Sequence, residues 1–229
     1  MSLIIIQEET TKKPITLIGK EAGLCWGANT KDDEKNFKRG LDCLKSNHGR
    51  TLEFPQIYIT IDGYSARFMR ELYTHIAGGP SRLQASTRYI NYEKGFEYII
   101  PPSIEKNEVA KDLYIETMQK IQNSLYKMEY DLNIPREDSA NLLPLGMESK
   151  MVLRTNLRHL IDMSHQRLCT RAYWEFREFM NDLKTQLSEV SDEWKFIVDE
   201  YFICKCDYYG FCTENKSCGR KPKREEVIK

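Results

Sequence analysis

The triplet Gly78-Gly79-Pro80 does more than any other feature to limit how this chain can fold. A helix arriving from the Met69 side cannot continue through two glycines and a proline, and a central strand cannot accept a residue without a ladder N–H. The chain must turn here. Just beyond the turn, Ser81, Arg82, Gln84, Ser86 and Arg88 offer hydroxyls, an amide and guanidinia. Backbone N–H groups exposed at glycines, hydroxyl donors and a forked guanidinium are the groups that phosphate recognition requires. The segment is therefore a candidate anion-holding loop; a Gly-Pro connector with a solvated polar face is the plainer alternative.

The flanking pattern mixes strands and helices. Leu3-Ile4-Ile5-Ile6 predicts a strand, and Pro14–Trp26 and Asp32–Lys45 predict two helices. Ile57, Ile59 and Ile61 alternate with Tyr58 and Thr60, the period of a half-buried strand. Ser65 is placed to cap a helix running to His75, with Phe68, Leu72 and Tyr73 on its inner stripe and Arg70 and His75 carried towards the loop. Phe96–Ile100 predicts a short strand ended by Pro101-Pro102. From Ser103 to Leu132 the apolar residues Val109, Leu113, Met118, Ile121, Leu125, Met128 and Leu132 predict one long packing helix, its stripe suited to a core or subunit interface. Pro135–Leu143 reads as a short helix, and Met147, Ser149, Met151 and Leu153 as one face of a strand. Asn156 then caps a helix with Leu157, Leu160, Ile161, Ser164 and Leu168 on one side.

At 229 residues and 41% hydrophobic, the chain can bury a sizeable core and needs no more than one domain. Lys+Arg 34 against Asp+Glu 34 leaves no net charge, so any anion site must be local and no nucleic-acid partner is expected. Leu3–Ile6 is too short for a signal region or a membrane span, and no other segment approaches the roughly twenty apolar residues of a span. A cytoplasmic protein without a membrane partner is expected. Seven cysteines, an odd number, fit reduced thiols.

Two further polar groups carry candidate chemistry. His48 and Glu53 bracket a glycine turn and suit an acid-base pair, although a histidine beside a strand is commonly structural. Asn156 and Arg167, about three helical turns apart, share one face, and Arg158 and Asp162 sit at i,i+4; a merely solvated face is the alternative.

Taken together these stretches resemble the signature blocks of the flavin-dependent thymidylate synthases. Arg82-Leu83-Gln84-Ala85-Ser86-Thr87-Arg88-Tyr89 is similar to that family's loop ending Ser-x-Arg-Tyr, with Tyr73-Thr74-His75 where the family has Arg-His-Arg. His48 and Glu53 keep the spacing of its His-x-x-x-x-Glu segment. Asn156-Leu157-Arg158-His159-Leu160, followed by Arg167-Leu168 and Ala172-Tyr173-Trp174-Glu175, resembles its Asn-x-Arg-x-Leu and Arg-Leu…Ala-Gln-Trp-Glu block.

The resemblance implies an α+β fold like that of the thymidylate synthase complementing proteins: a small mixed or antiparallel sheet flanked by helices, one of them long, occupying residues 1–203, with 204–229 as a cysteine-containing tail. It implies a homotetramer with sites shared among subunits, FAD as cofactor, NADPH and methylenetetrahydrofolate as co-substrates, and reductive methylation of dUMP to dTMP. Carried over position by position, the flavin side comprises His48, Arg50, Glu53, Tyr73, Thr74, His75, Gln84, Asn156, Arg158 and Asp162. The nucleotide side comprises Arg70, Tyr73, Gln84, Ala85, Ser86, Thr87 and Arg88, with Arg167 against the pyrimidine ring as the catalytic candidate. No cysteine falls in this constellation, so a thiol nucleophile is not implied. The same chemistry on UMP or dCMP, and a non-catalytic flavin- or nucleotide-binding protein, are the alternatives.

The chain departs from the family pattern at several points. Besides the altered triplet, the loop over Ala77–Pro80 is about three residues longer, Gln84 replaces an acidic residue, and Ala140 stands where a phosphate-side arginine is expected. Arg82, Lys150 and Arg154 are the charged candidates to replace it. In the tail, Ser191 caps a helix through Tyr201, and Cys204, Cys206, Cys212 and Cys218 follow beside Gly210 and Gly219. Four thiolates are enough for zinc, but paired C-x-x-C knuckles are missing and no metal is assigned.

Overall fold

A computed structural model describes residues 2–227. In chain order it contains β1 (Leu3–Ile6), α1 (Pro14–Cys25), α2 (Asp33–Lys45), β2 (Gln56–Ser65), α3 (Ala66–Tyr73), β3 (Ser81–Gln84), α4 (Pro102–Glu105), α5 (Glu108–Tyr126), α6 (Arg136–Ser139), β4 (Glu148–Asn156), α7 (Leu157–Arg167), α8 (Trp174–Ser188), α9 (Asp192–Tyr201), α10 (Lys205–Tyr209) and α11 (Arg224–Val227). The strands form one sheet in the order β1-β2-β4-β3. The α+β expectation holds.

Many of these elements start where local chemistry says they should. The side chains of Asp32, Ser65, Asn156 and Ser191 each accept the orphan N–H three residues on, capping α2, α3, α7 and α9. In β2 the odd residues Ile57, Ile59 and Ile61 are fully buried while their neighbours are half-buried, the alternation expected of a pleated strand. Helix α1 is different. It opens on Pro14 without a local side-chain cap, and Glu193 supplies the missing acceptor: Oε2 takes the N–H of Ile15 at 2.6 Å and of Thr16 at 2.9 Å, and Oε1 the Thr16 hydroxyl at 2.5 Å.

By its contacts the chain divides into two compact units. The first is built on Ile61–Thr74 and Leu83–Val152, and the second on Ile4–Thr60, His75–Arg82 and the chain from Leu153 onwards. The tail from Cys204 is grouped with the second unit. Inside the first, Met118 and Leu125 of α5 pack with Tyr92, Phe96 and Met147 as a buried cluster, edged by Tyr98 and Tyr114. Inside the second, Ile15 and Ile18 of α1, Phe176, Phe179 and Leu183 of α8, and Trp194 and Ile197 of α9 are all at 0% exposure. The Trp194 indole N–H reaches the carbonyl of Thr11 at 2.7 Å, so this ring is buried without an orphan donor.

Two of the expected elements come out differently in the structure. Phe96–Ile100 forms no strand but a single antiparallel bridge, Tyr98 to Met147, because Gly95 at φ 88° and the prolines at 101 and 102 leave room for nothing longer. The helix expected over Ser103–Leu132 is interrupted: Asn107 takes an extended backbone and caps α5 by accepting from Ala110 N at 3.1 Å, and the far end loosens into a wider turn over Lys127–Asp131. Its stripe is also split, with Met118 and Leu125 buried but Val109 80% and Leu113 63% exposed. Among the described residues no helix is long and apolar enough to cross a membrane.

Candidate active site

In the second unit the Gly78 turn is locked to the start of α7. Asn156 Oδ1 accepts from His159 N at 3.0 Å while its Nδ2 donates to the Gly78 carbonyl at 3.2 Å. Gly78 has φ +72°, and a Cβ there would stand 2.7 Å from Asn156 Nδ2, so both the conformation and the contact require glycine. Asn156, 7% exposed, is thus a scaffold for the turn as well as a cap. Two positions on, Arg158 Nη1 pairs with Glu53 Oε1 at 2.7 Å, and its guanidinium lies against Gly49. His48, Arg50 and Asp162 are solvent-exposed. The structure therefore brings Glu53 and Arg158 together across more than a hundred residues of sequence, |i−j| = 105.

At the other end of α7, Arg167 is held on two sides. Its Nε donates to His75 Nε2 at 2.7 Å, and its guanidinium carbon lies 4.5 Å from the centre of the Phe176 ring, a cation–π contact. For Nε2 to accept, His75 must be neutral. Burial, reinforced by the positive charge of Arg167, pushes its pKa from 6.5 down to about 4, so it is neutral at physiological pH. Its carbonyl accepts from Arg82 Nη2, and its ring lies 6.1 Å from that of His159, which burial also pushes below the ordinary histidine range. Arg167 also lines a cavity of about 400 Å³ with His165, Cys169 and residues of the tail.

This arrangement has a pH signature. An unfolded imidazole takes up a proton near pH 6.5 that folded His75 refuses until about 4, so the stability of the neutral form is fully present above pH 6.5 and is lost as pH falls through that window. Between pH 7 and 5 the loss from this group should be on the order of 1–2 kcal/mol. Urea midpoints of wild type and His75→Gln at both pH values test it: the variant, which keeps an acceptor for Arg167, should lose that part of the pH dependence. Parallel pH slopes for the two proteins would assign it elsewhere.

Of the loop candidates, Ser81–Gln84 form the edge strand β3 rather than a loop, and Ala85–Arg88 form a compact turn in the first unit. Ala85 N donates to the Lys150 carbonyl at 2.8 Å and Gln84 Nε2 to Ser149 Oγ at 3.1 Å, which fixes the loop entry on β4. The Ser86 carbonyl then accepts from Tyr89 N and Ile90 N at 3.1 and 3.2 Å, and Ser86 Oγ accepts from Arg88 N at 3.3 Å. Arg88 pairs with Glu137 of α6 at 3.1 Å, while Thr87 is half-buried. Ala85 lines a cleft of about 280 Å³ with Asp62, Tyr92, Ser149 and Lys150. Arg70, Tyr73 and Thr74, at the end of α3, are exposed.

Residues 8–191 match the family model described as thymidylate synthase complementing protein. This chain belongs to that family. Among relatives, the flavin-dependent thymidylate synthase of Pyrococcus furiosus is 30% identical over 219 residues, covering 89% of this chain and 86% of that protein. The enzyme of the same description from Nitratidesulfovibrio vulgaris is 29% identical over 194 residues, covering 80% and 76%, and that of Clostridium tetani 26% identical over 242 aligned positions, covering 96% and 94%. The fold is similar to that of ThyX from Helicobacter pylori, solved in complex with FAD and dUMP, with a TM-score of 0.65 at 18% identity, covering 84% of this chain and 98% of that one.

Within the thymidylate synthase complementing protein frame, the three charged replacements read from sequence for the arginine absent at Ala140 are not equivalent. Arg82 turns to the His75 carbonyl, Lys150 pairs with Asp62 at 2.6 Å, and Arg154 is half-buried on β4. A further guanidinium stands at this corner: Arg136 Nη1 approaches the Tyr89 carbonyl at 3.4 Å, at the end of the Ser86 turn, while its Nε pairs with Glu129 Oε2 at 3.1 Å. Arg136 precedes Ala140 by four residues, one helical turn on the same face. Sequence reasoning missed Phe176, beneath Arg167. It follows the Trp174-Glu175 pair directly but as an apolar residue looks like core.

Proposed function

We propose that this chain is a flavin-dependent thymidylate synthase, methylating dUMP to dTMP with methylenetetrahydrofolate as carbon donor and NADPH as reductant. The observation that carries the reading is the oriented guanidinium of Arg167, found within the region matched to the family. When bound, FAD supplies the redox chemistry, taking reducing equivalents from NADPH and delivering a hydride to the transferred carbon. The residues available suit such a group: His48 and Arg50 are exposed beside the Arg158–Glu53 pair, a donor set for the phosphates and hydroxyls of a dinucleotide, and Gly49 leaves the space in which the Arg158 guanidinium lies.

The protein contributes placement and charge. On the nucleotide side, Ser86, Arg88 and the backbone of Gln84 to Ser86 would hold the phosphate, with Arg136 in the place of the guanidinium absent at Ala140. Arg167 would donate to a pyrimidine carbonyl oxygen, which gains negative charge as C5 becomes the nucleophile. Its position is set beforehand by neutral His75 and by Phe176, so little reorganisation is needed when charge develops. A site shared among subunits of a homotetramer fits the exposed apolar side chains of α5, Val109 and Leu113.

FAD-reconstituted protein should show bound-flavin absorbance that NADPH bleaches anaerobically, and should convert dUMP, but neither UMP nor dCMP, to the methylated product with methylenetetrahydrofolate. No flavin binding at micromolar FAD, or product from UMP or dCMP instead, overturns the reading. For the assembly, light scattering should give about four times the 27.0 kDa chain mass; an active monomer rules out shared sites.

A further inference from the structure

At its far end α5 gives way to the wider turn over Lys127–Asp131, and two side chains of that turn reach the corner where the Ser86 turn ends. Turns of this kind are uncommon inside helices and concentrate at functional sites. The Tyr130 hydroxyl donates to Asn91 Oδ1 at 2.8 Å. Its neighbour Glu129 is buried, with a side chain only 7% exposed, and both carboxylate oxygens are taken up by α6. Oε1 accepts from the Ser139 hydroxyl at 2.6 Å and Oε2 from Arg136 Nε at 3.1 Å. A carboxylate this far from water is costly unless it is both paired and hydrogen-bonded, and here it is both.

The pair decides which edge of the guanidinium is on offer. With Nε held by Glu129, the Nη edge is the one presented to the Ser86 turn, where Nη1 approaches the Tyr89 carbonyl at 3.4 Å. That separation is long for a hydrogen bond, and a cationic donor with so loose an acceptor exchanges it readily for a phosphate oxygen. The Arg136 side chain is 30% exposed, which leaves it accessible to a ligand. One residue along, Glu137 pairs with Arg88 at 3.1 Å, both side chains being more than half exposed. An ion pair so open to water is weak, and a phosphate dianion can displace its carboxylate. Two guanidinia thus meet the Ser86–Tyr89 turn, one backed by a buried carboxylate and one by an exposed carboxylate that can leave.

We infer, on the reading of the site given above, that Glu129 is a positioning residue for the nucleotide's 5′-phosphate: it holds Arg136 with its Nη edge towards the Ser86 turn, where Arg136 joins Arg88 on the phosphate. Glu129 itself touches no substrate. It acts through Arg136, and its effect belongs to recognition of the phosphate rather than of the base.

The test uses the full chain reconstituted with FAD and two probes that share a base, dUMP and deoxyuridine. Glu129→Ala and Arg136→Ala should each raise the Kd for dUMP about tenfold, as expected for loss of a charge-assisted donor, and leave the Kd for deoxyuridine where it was. In turnover the loss should fall on KM for dUMP rather than on kcat. Combining the two changes should weaken dUMP binding no further than Arg136→Ala alone, because a residue that acts only through Arg136 has nothing left to position. Glu129→Gln keeps the shape and an acceptor for Nε, and so keeps the fold; it should show the same pattern at about threefold. Lys127→Ala, at an exposed position on the same turn, should move neither constant. The positioning role is overturned if folded Glu129 variants bind dUMP as wild type does, if deoxyuridine binding weakens by the same factor, or if the Glu129 and Arg136 effects simply multiply. Each of these results leaves the enzyme reading intact, whereas a flavin-loaded wild type that binds no dUMP overturns that reading and the role of Glu129 with it.

Discussion

Gly40→Ala should destabilise the protein by about 3 kcal/mol or more, although alanine is the better helix former. The two effects oppose each other. In the interior of α2, exchanging glycine for alanine gains up to about 1 kcal/mol of helix propensity. Against that, a Cβ at Gly40 would fall 1.9 Å from the Ile15 carbonyl oxygen and 2.8 Å from its carbon, and one at Gly19 would fall 1.8 Å from the Asn36 carbonyl oxygen. Helices α1 and α2 meet backbone to backbone at these two glycines, and backbone atoms cannot swing aside as a flexible side chain does. Relief requires the helices to separate, and Ile15, Ile18 and Leu44, all buried, would lose packing with them. Urea unfolding decides the sign. The midpoint of Gly40→Ala should fall with an unchanged m-value, while Lys38→Ala, at an exposed position on the same helix, should stay within about 0.5 kcal/mol of wild type. A raised midpoint for Gly40→Ala would mean that propensity wins and the helices have room.

That glycine pair shows where sequence reading stops. Helices α1 and α2 were legible, as were the caps at Ser65, Asn156 and Ser191 and the alternation of β4, because a cap or a pleat is decided within a few residues. Which faces two helices turn to each other is not decided locally, and neither is the capping of α1 by Glu193, 178 residues away. Asn107 was misread for a related reason: a strong apolar period ran through it, and the local cap won over the period. No element was expected over Trp174–Ser188, where α8 forms on the apolar stripe of Phe176, Phe179, Met180 and Leu183; it opens after Tyr173 without a side-chain cap to mark its start.

The candidate site divides in the same way. Its residue types were legible from motif blocks, but their partners were not. Asn156 was legible as the cap of α7, but its second bond, to the Gly78 carbonyl 78 residues away, was not. His75 and Arg167 were both candidates, and nothing in the sequence joins them; the bond between them spans 92 residues and depends on the low pKa that burial and the guanidinium give the imidazole. Arg136 stands four residues before Ala140, one helical turn away, and only the structure shows its approach to the Tyr89 carbonyl.

Arg167→Ala should lower kcat for methylation by about 10- to 150-fold while the protein stays folded. A guanidinium donating to an oxygen that gains charge in the transition state is a charge-assisted hydrogen bond worth roughly 1.5–3 kcal/mol net, which converts to that range. Because the bond strengthens as the charge develops, the loss belongs mainly to kcat and only secondarily to KM. The structure adds a reason for little rescue by lysine. Arg167 places Nε on His75 and its flat face on Phe176, and an ammonium on a flexible stem can reproduce neither the face nor a planar fork. Arg167→Lys should therefore remain within a few-fold of the alanine variant. Flavin reduction by NADPH, which needs no pyrimidine, should persist in both, and this separates a lost transition-state contact from a collapsed site. The alanine variant should also release His75 from the nearby positive charge, raising its pKa from about 4 towards the ordinary histidine value, which histidine NMR titration can follow. Methylation within twofold of wild type in a folded Arg167→Ala protein would leave this arginine a structural partner of His75 and Phe176.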